Sequence, residues 1–166
     1  MIEIKNIYKK FGKLEVLNNI NLSFKKGECI ALIGPNGCGK TTLIKSILGM
    51  VIPTKGDILF DQKSILKEFK YRENIGYMPQ IGRYPDYMTV GQIIEMIKKI
   101  RNSEQVLDED LIKSFELEKI VDKQMRTLSG GTTQKVSAVL AFLFNPNIII
   151  LDEPTTHLDE ENKIII

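Results

Sequence analysis

Cysteine occurs only twice, at Cys29 and Cys38, and histidine only once, at His157. Neither cysteine stands at a metal-ligand or redox spacing, so the pair fits a reducing compartment rather than a disulfide framework. Charge of one sign is scarce too. The 23 basic and 21 acidic side chains leave a net +2, too little for a nucleic-acid footprint. Lysine pairs such as Lys9-Lys10 and Lys25-Lys26 are scattered and read as solvated surface. No apolar run approaches the roughly 20 residues needed to span a bilayer. The opening MIEIKNIYKKFG alternates like a strand and lacks the continuous apolar centre of a signal peptide. Repeats and low-complexity tracts are missing. What is present is an ordinary globular balance, 43% hydrophobic and 27% charged over 166 residues, enough for one domain with a real core. The expectation is a cytoplasmic chain that meets a membrane only through a partner.

Hydrophobic periodicity orders the chain. IEIKNIYKKF and NINLSF read as strands around a turn near Gly12-Lys13. ECIALIG reads as a short buried strand entering the glycines of GPNGCGKTT, and TTLIKSILGM as a helix that stops at Gly49. PTKGDILF is turn then strand, and NIGYMPQ is a strand that ends at Pro79. From Thr89 the texture becomes helical, with Thr89 and Gln92 as a capping box. NIIIL, just after Pro146, returns to strand, buried on both faces, and the residues from Leu158 on have the look of a helix start.

Three stretches carry chemistry. GPNGCGKT, Gly34 to Thr41, satisfies the phosphate-loop pattern G-x-x-x-x-G-K-[ST]. Glycines at 34, 37 and 39 let the backbone wrap so that successive N–H groups face phosphate oxygens, and the helix that follows adds its positive dipole end. Lys40 neutralises charge between the β- and γ-phosphates, and the Thr41 hydroxyl can ligate Mg²⁺. The Cys38 thiol takes no role of its own within the loop. IIILDE, Ile148 to Glu153, delivers two carboxylates to the carboxyl edge of a sheet, where α/β folds place ligands. Asp152 would hold the magnesium through water, and Glu153 would polarise an attacking water. LSGGT, Leu128 to Thr132, offers Ser129 as an N-cap and the Gly130-Gly131 N–H groups beside it, a second anion-binding helix start.

In this order and spacing the motifs resemble the nucleotide-binding domain of ATP-binding cassette (ABC) transporters over the whole chain, with Walker A, the family signature and Walker B in turn. The resemblance implies an α/β fold: a P-loop NTPase (RecA-like) core with an N-terminal antiparallel β subdomain and an inserted helical subdomain, lacking the C-terminal strands. Residues 1–81 with 145–166 would form the core and β subdomain, and 82–144 the helical signature subdomain. It implies nucleotide contacts from Gly34, Pro35, Asn36, Gly37, Cys38, Gly39, Lys40, Thr41 and Thr42, with Phe11 stacking on adenine beside Val16; Tyr8 is the competing aromatic. Gln80 would be the Q-loop residue that touches Mg²⁺ and relays nucleotide state, so Thr41, Gln80 and Asp152 serve the metal and Glu153, Gln80 and Lys40 the hydrolysis. Ser129, Gly130, Gly131 and Thr132 would meet the ATP held by a second ABC domain, and Asp159 would lie in the D-loop across that interface. The implied cofactors are ATP and Mg²⁺, and the implied partner is a transmembrane permease at the inner face of the cell membrane, with no nucleic acid.

The chain departs from the family pattern at two places. Thr132 stands where glutamine is usual, and His157 lies in TTHLD, too close to Walker B to be the family's switch histidine, so it reads as a surface turn residue. The strand bearing that histidine, which the resemblance places in the slot between the Walker A and Walker B strands, is expected to be missing. The expectation is a truncated domain of low stability, because unpaired strand edges are costly. Two other readings stand beside the transport motor: a non-hydrolysing ATP-gated module, and a soluble ABC protein acting in translation or repair. A GTPase would need an Asn-Lys-x-Asp reader, and Asn162-Lys163 is followed by Ile164 and Ile165.

Overall fold

The structure is a computed structural model and describes residues 2–66, 68–101 and 107–154. The chain falls into two compact units divided between Arg72 and Glu73.

In the first unit β1 (Ile2–Phe11) and β2 (Leu14–Phe24) form an antiparallel hairpin, reversed at Gly12, whose φ is 58°. Strict alternation would bury residues 2, 4 and 6. The buried positions are instead Ile2, Ile4 and Ile7. A register shift between Ile4 and Ile7, where Asn6 takes φ 50° and donates its N–H to Asn21 Oδ1 at 2.9 Å, moves the apolar set back to the core side. After α1 (Lys40–Ile47), β3 (Lys55–Phe60) pairs antiparallel with β1, Ile4 opposite Ile58, and the short β4 (Lys63–Ser64) pairs with β3. The sheet order is β2-β1-β3-β4. Helix α1 buries Leu43, Ile44 and Ile47. Its last carbonyls are satisfied from within the unit: the Tyr71 hydroxyl donates to Ile47 O at 3.1 Å and the Arg72 guanidinium to Gly49 O at 3.2 Å. Gly49, at φ 66°, ends the helix as expected from its position.

ECIALIG departs from expectation. Residues 28–33 are not a ladder strand and are not buried: Ile30 is 52% exposed and Ile33 90%. The reason is pairing. A strand needs a neighbour about 4.8 Å away to take its N–H and C=O groups, and no described strand pairs with this run.

The second unit opens with β5 (Ile75–Met78) and continues through α2 (Val90–Arg101), α3 (Asp110–Ser114) and α4 (Gly130–Phe142) to β6 (Ile148–Leu151). β5 and β6 pair in parallel, Ile75 opposite Ile148 and Met78 opposite Leu151. The capping box is formed at α2: Thr89 N–H donates to Gln92 Oε1 at 2.9 Å, and Gln92 N–H to Thr89 Oγ1 at 3.2 Å. Val90, Ile93, Leu117, Val136, Val139 and Leu143 build the core of this unit. A smaller cluster of Met78, Ala138 and Ala141 lies between α4 and β5. That contact is close because Gly76 has no side chain; a methyl there would collide with the Ala141 carbonyl and with Pro146. Gly76→Ala should therefore lower the unfolding free energy by about 2 kcal/mol, as overpacked cores do, which chemical denaturation would read as a lower midpoint at unchanged slope.

β6 is less enclosed than its apolar sequence implies. Ile149 is 38% exposed and its neighbours are half-buried. Among the described residues β6 has one ladder partner, β5, so the two-faced burial of a central strand is not realised.

Candidate functional site

The phosphate loop lies in the first unit. Gly37 and Gly39 take φ of 81° and 100°, the left-handed region that lets the backbone curl around an anion. Gly39 is also the N-cap of α1, with no side-chain cap and no acidic residue in the first helical turn. The helix thus opens with N–H groups that its N-cap residue cannot satisfy through a side chain. A Cβ on Gly39 would come 2.8 Å from Val16 O and 3.2 Å from Val16 Cγ1, so β2 braces the loop at the residue expected beside the nucleotide. The Lys40 ammonium donates to the carbonyls of Gly34 and Pro35 at 2.8 and 3.0 Å. It is held over the loop by neutral acceptors. Thr41 and Thr42 begin the helix, half-buried, and Pro35 to Cys38 are exposed. Phe11 is 50% exposed at the end of β1, with the Lys9 ammonium 4.9 Å from its ring centroid. Tyr8, the rival aromatic, is half-buried.

The acidic groups lie in the second unit. Asp152 is 4% exposed, and its N–H donates to Met78 O at 2.9 Å, carrying the β5–β6 pairing one residue past the strand. Burial raises the Tyr77 hydroxyl above its usual range, and the Asp152 charge adds to the effect. Glu153 takes φ 52°, a left-handed conformation that costs a non-glycine residue about 1–2 kcal/mol. Its carboxylate accepts a hydrogen bond from Gln80 Nε2 at 2.6 Å. Gln80 and Glu153, 73 residues apart in sequence, are thereby brought together. With its N–H on Glu153, the Gln80 amide keeps its oxygen for another role. The oxygen donors expected for Mg²⁺ (a hydroxyl, an amide carbonyl and a carboxylate) suit that hard cation, which takes few protein ligands and shares the rest with phosphate and water. No cluster of three or more His, Cys, Asp or Glu occurs among the described residues, so a softer metal has no ready-made cage there.

The signature forms the N-terminus of α4. Ser129 is the N-cap, its Oγ accepting from Thr132 N–H at 3.2 Å. The departure at 132 has a local use: the Thr132 hydroxyl pairs with the Ser129 hydroxyl at 2.8 Å. Gly130 is exposed and Gly131 half-buried beside them. Asp159 and His157 lie outside the described residues. Sequence reasoning missed Gln134, buried in α4 and bonded to the Gln80 backbone. Its signal was a glutamine placed among the apolar positions of a helix.

No helix among the described residues is long and apolar enough to cross a membrane. A family model described as ABC transporter matches residues 17–156. The zinc import ATP-binding protein ZnuC of Rickettsia conorii is 41% identical over 162 residues, which cover 96% of this chain and 64% of that protein. The sulfate/thiosulfate import ATP-binding protein CysA of Pectobacterium atrosepticum is 36% identical over 95% of this chain and 50% of its own length. The chain thus spans about half to two thirds of these relatives. MJ0796, a bacterial ABC transporter cassette solved as a dimer, superposes with a TM-score of 0.86 at 29% identity, covering 99% of this chain and 78% of that one. The same cassette has been solved in a post-hydrolysis state with ADP and Pi.

Proposed function

Because the chain belongs to the ABC transporter family, we propose that it binds MgATP, pairs with a second ABC domain around the nucleotide, and hydrolyses it to drive a membrane permease. One observation carries most of the weight. The Gly34–Thr42 stretch presents left-handed glycines, a helix start whose N-cap is a glycine and a lysine seated on the carbonyls of Gly34 and Pro35, a combination suited to the phosphates of a nucleotide.

In this reading the loop amides and Lys40 hold the phosphates, Thr42 meets the α-phosphate, and Phe11 stacks on the base with Val16 at its edge. Thr41, Gln80 and Asp152 are the oxygen donors assigned to Mg²⁺, which when bound offsets phosphate charge. Glu153 accepts the proton of the attacking water. Its contact with Gln80 supports this, because an amide donor on one carboxylate oxygen fixes the orientation of the group. Ser129, Gly130 and Gly131 would close over the γ-phosphate of the second domain, joined by Thr132, with Asp159 beside that contact. ATP then acts as the adhesive of the dimer, and its hydrolysis loosens the pair. A permease reached through the segment after Gln80 would place the complex at the cytoplasmic face of the membrane.

The test is phosphate release from ATP by the full-length protein with and without Mg²⁺. The expected result is Mg²⁺-dependent turnover together with ATP-dependent dimerisation. Failure to retain ATP at millimolar nucleotide would end the assignment.

A further inference from the structure

Helix α4 buries two polar side chains among its apolar ones, Gln134 at 3% and Ser137 at 1% exposure. Both reach the segment that follows β5. Gln134 Nε2 donates to the Gln80 carbonyl at 2.9 Å. Ser137 donates its own proton to Thr133 O at 3.0 Å, so in its 2.8 Å pairing with Tyr84 the tyrosine hydroxyl is the donor. Burial holds that hydroxyl protonated above its ordinary range. Gly82, between these two bonds, lies so close to Ser137 Oγ that a methyl would not fit. The segment 80–84 is thus fastened to α4 at both ends.

The Gln134 bond carries a cost. Its Oε1 is buried without a hydrogen-bond partner among the described residues, and an apolar side chain of similar volume would avoid that desolvation. Turning the amide over would not help, because two oxygens would then face each other across the contact. Gln80, whose carbonyl is held in this way, is the residue whose side chain touches Glu153. One path of hydrogen bonds therefore runs from the helix that starts at Ser129, through Gln134 and Gln80, to Glu153.

We propose that Gln134 is a positioning residue for ATP hydrolysis: by anchoring the Gln80 main chain to α4, it sets the Gln80 side chain against Glu153 and ties that contact to the position of the signature helix. This rests on the ATPase reading above. When ATP draws the Ser129 end of α4 toward a second domain, the Gln80 carbonyl follows, and the Gln80–Glu153 contact tightens or releases with it.

Gln134→Met in the full-length protein keeps length and volume while removing the donor. The expected result is a fall in kcat of about tenfold or more, the scale of a misplaced reacting group. KM for ATP should stay within about twofold and Tm should hold or rise, since the orphan acceptor goes too. Amide exchange at Ile81 and Gly82 should speed up. Gln134→Leu is the second variant should methionine pack badly, with the same separation of kcat from Tm expected. Retention of kcat within about twofold in a folded variant would overturn the proposal, as would a loss that only tracks Tm. A wild-type protein without turnover would overturn the ATPase reading instead. In that case unchanged exchange at Ile81 and Gly82 in Gln134→Met would still dismiss the tether.

Discussion

Glu153→Gln is expected to lower ATP turnover by about a thousandfold, within the range a positioned general base supplies, while leaving ATP bound. The substitution is isosteric, so the left-handed backbone at 153 and the neighbouring β6 are undisturbed. What changes is proton affinity. A carboxylate steadied by Gln80 at 2.6 Å can accept a proton from water, and a carboxamide cannot. With turnover stopped and the phosphate loop intact, nucleotide should accumulate on the protein and hold two copies together. Single-turnover phosphate release gives the first quantity, and light scattering with retained ATP gives the second. A non-hydrolysing ATP-gated module would show no turnover to lose. A variant within about tenfold of wild type would remove Glu153 from the reaction.

Lys40→Ala should weaken ATP binding by about a hundredfold, near 3 kcal/mol, the upper range for hydrogen bonds to a charged group. The Lys40 ammonium already sits over the loop on the carbonyls of Gly34 and Pro35. Those acceptors are neutral, and a phosphate oxygen competes for the ammonium on better terms. Removing the side chain leaves the φ values of Gly37 and Gly39 to the backbone itself, so residual binding through the loop amides should persist. Titration calorimetry with MgATP measures the loss, and circular dichroism checks that the fold is kept. Affinity unchanged within about threefold would show that the triphosphate is held elsewhere.

Much of this architecture can be read from local chemistry. The Thr89–Gln92 box, the Ser129 cap and the stop at Gly49 were legible because each depends on residues within four positions of one another. The β1–β2 hairpin was legible in its alternation, but the slip that buries Ile7 was not, because Asn6 and Asn19 give no apolar signal. Residues 28–33 read as buried strand since apolarity reports the wish for burial and says nothing of whether a partner strand supplies it. The same limit applies to β6 and its exposed Ile149. Within the site, the phosphate loop and the acidic pair follow from spacing, whereas the contacts of Gln80 span 73 residues to Glu153 and 54 to Gln134. Long-range side-chain pairing leaves no periodic trace, and the polar residue that made it was hidden among apolar neighbours.

The exchange of the usual glutamine for threonine at 132 has an outcome that follows from counting hydrogens. Ser129 and Thr132 hold two O–H groups between them and spend one on their 2.8 Å contact. Either can be the giver. If Thr132 gives, serine keeps a proton to offer outward; if Ser129 gives, threonine keeps it. The tip of this helix therefore always has one hydroxyl hydrogen in reserve for an incoming oxyanion, and rotating two methyl-sized groups is enough to choose which atom presents it.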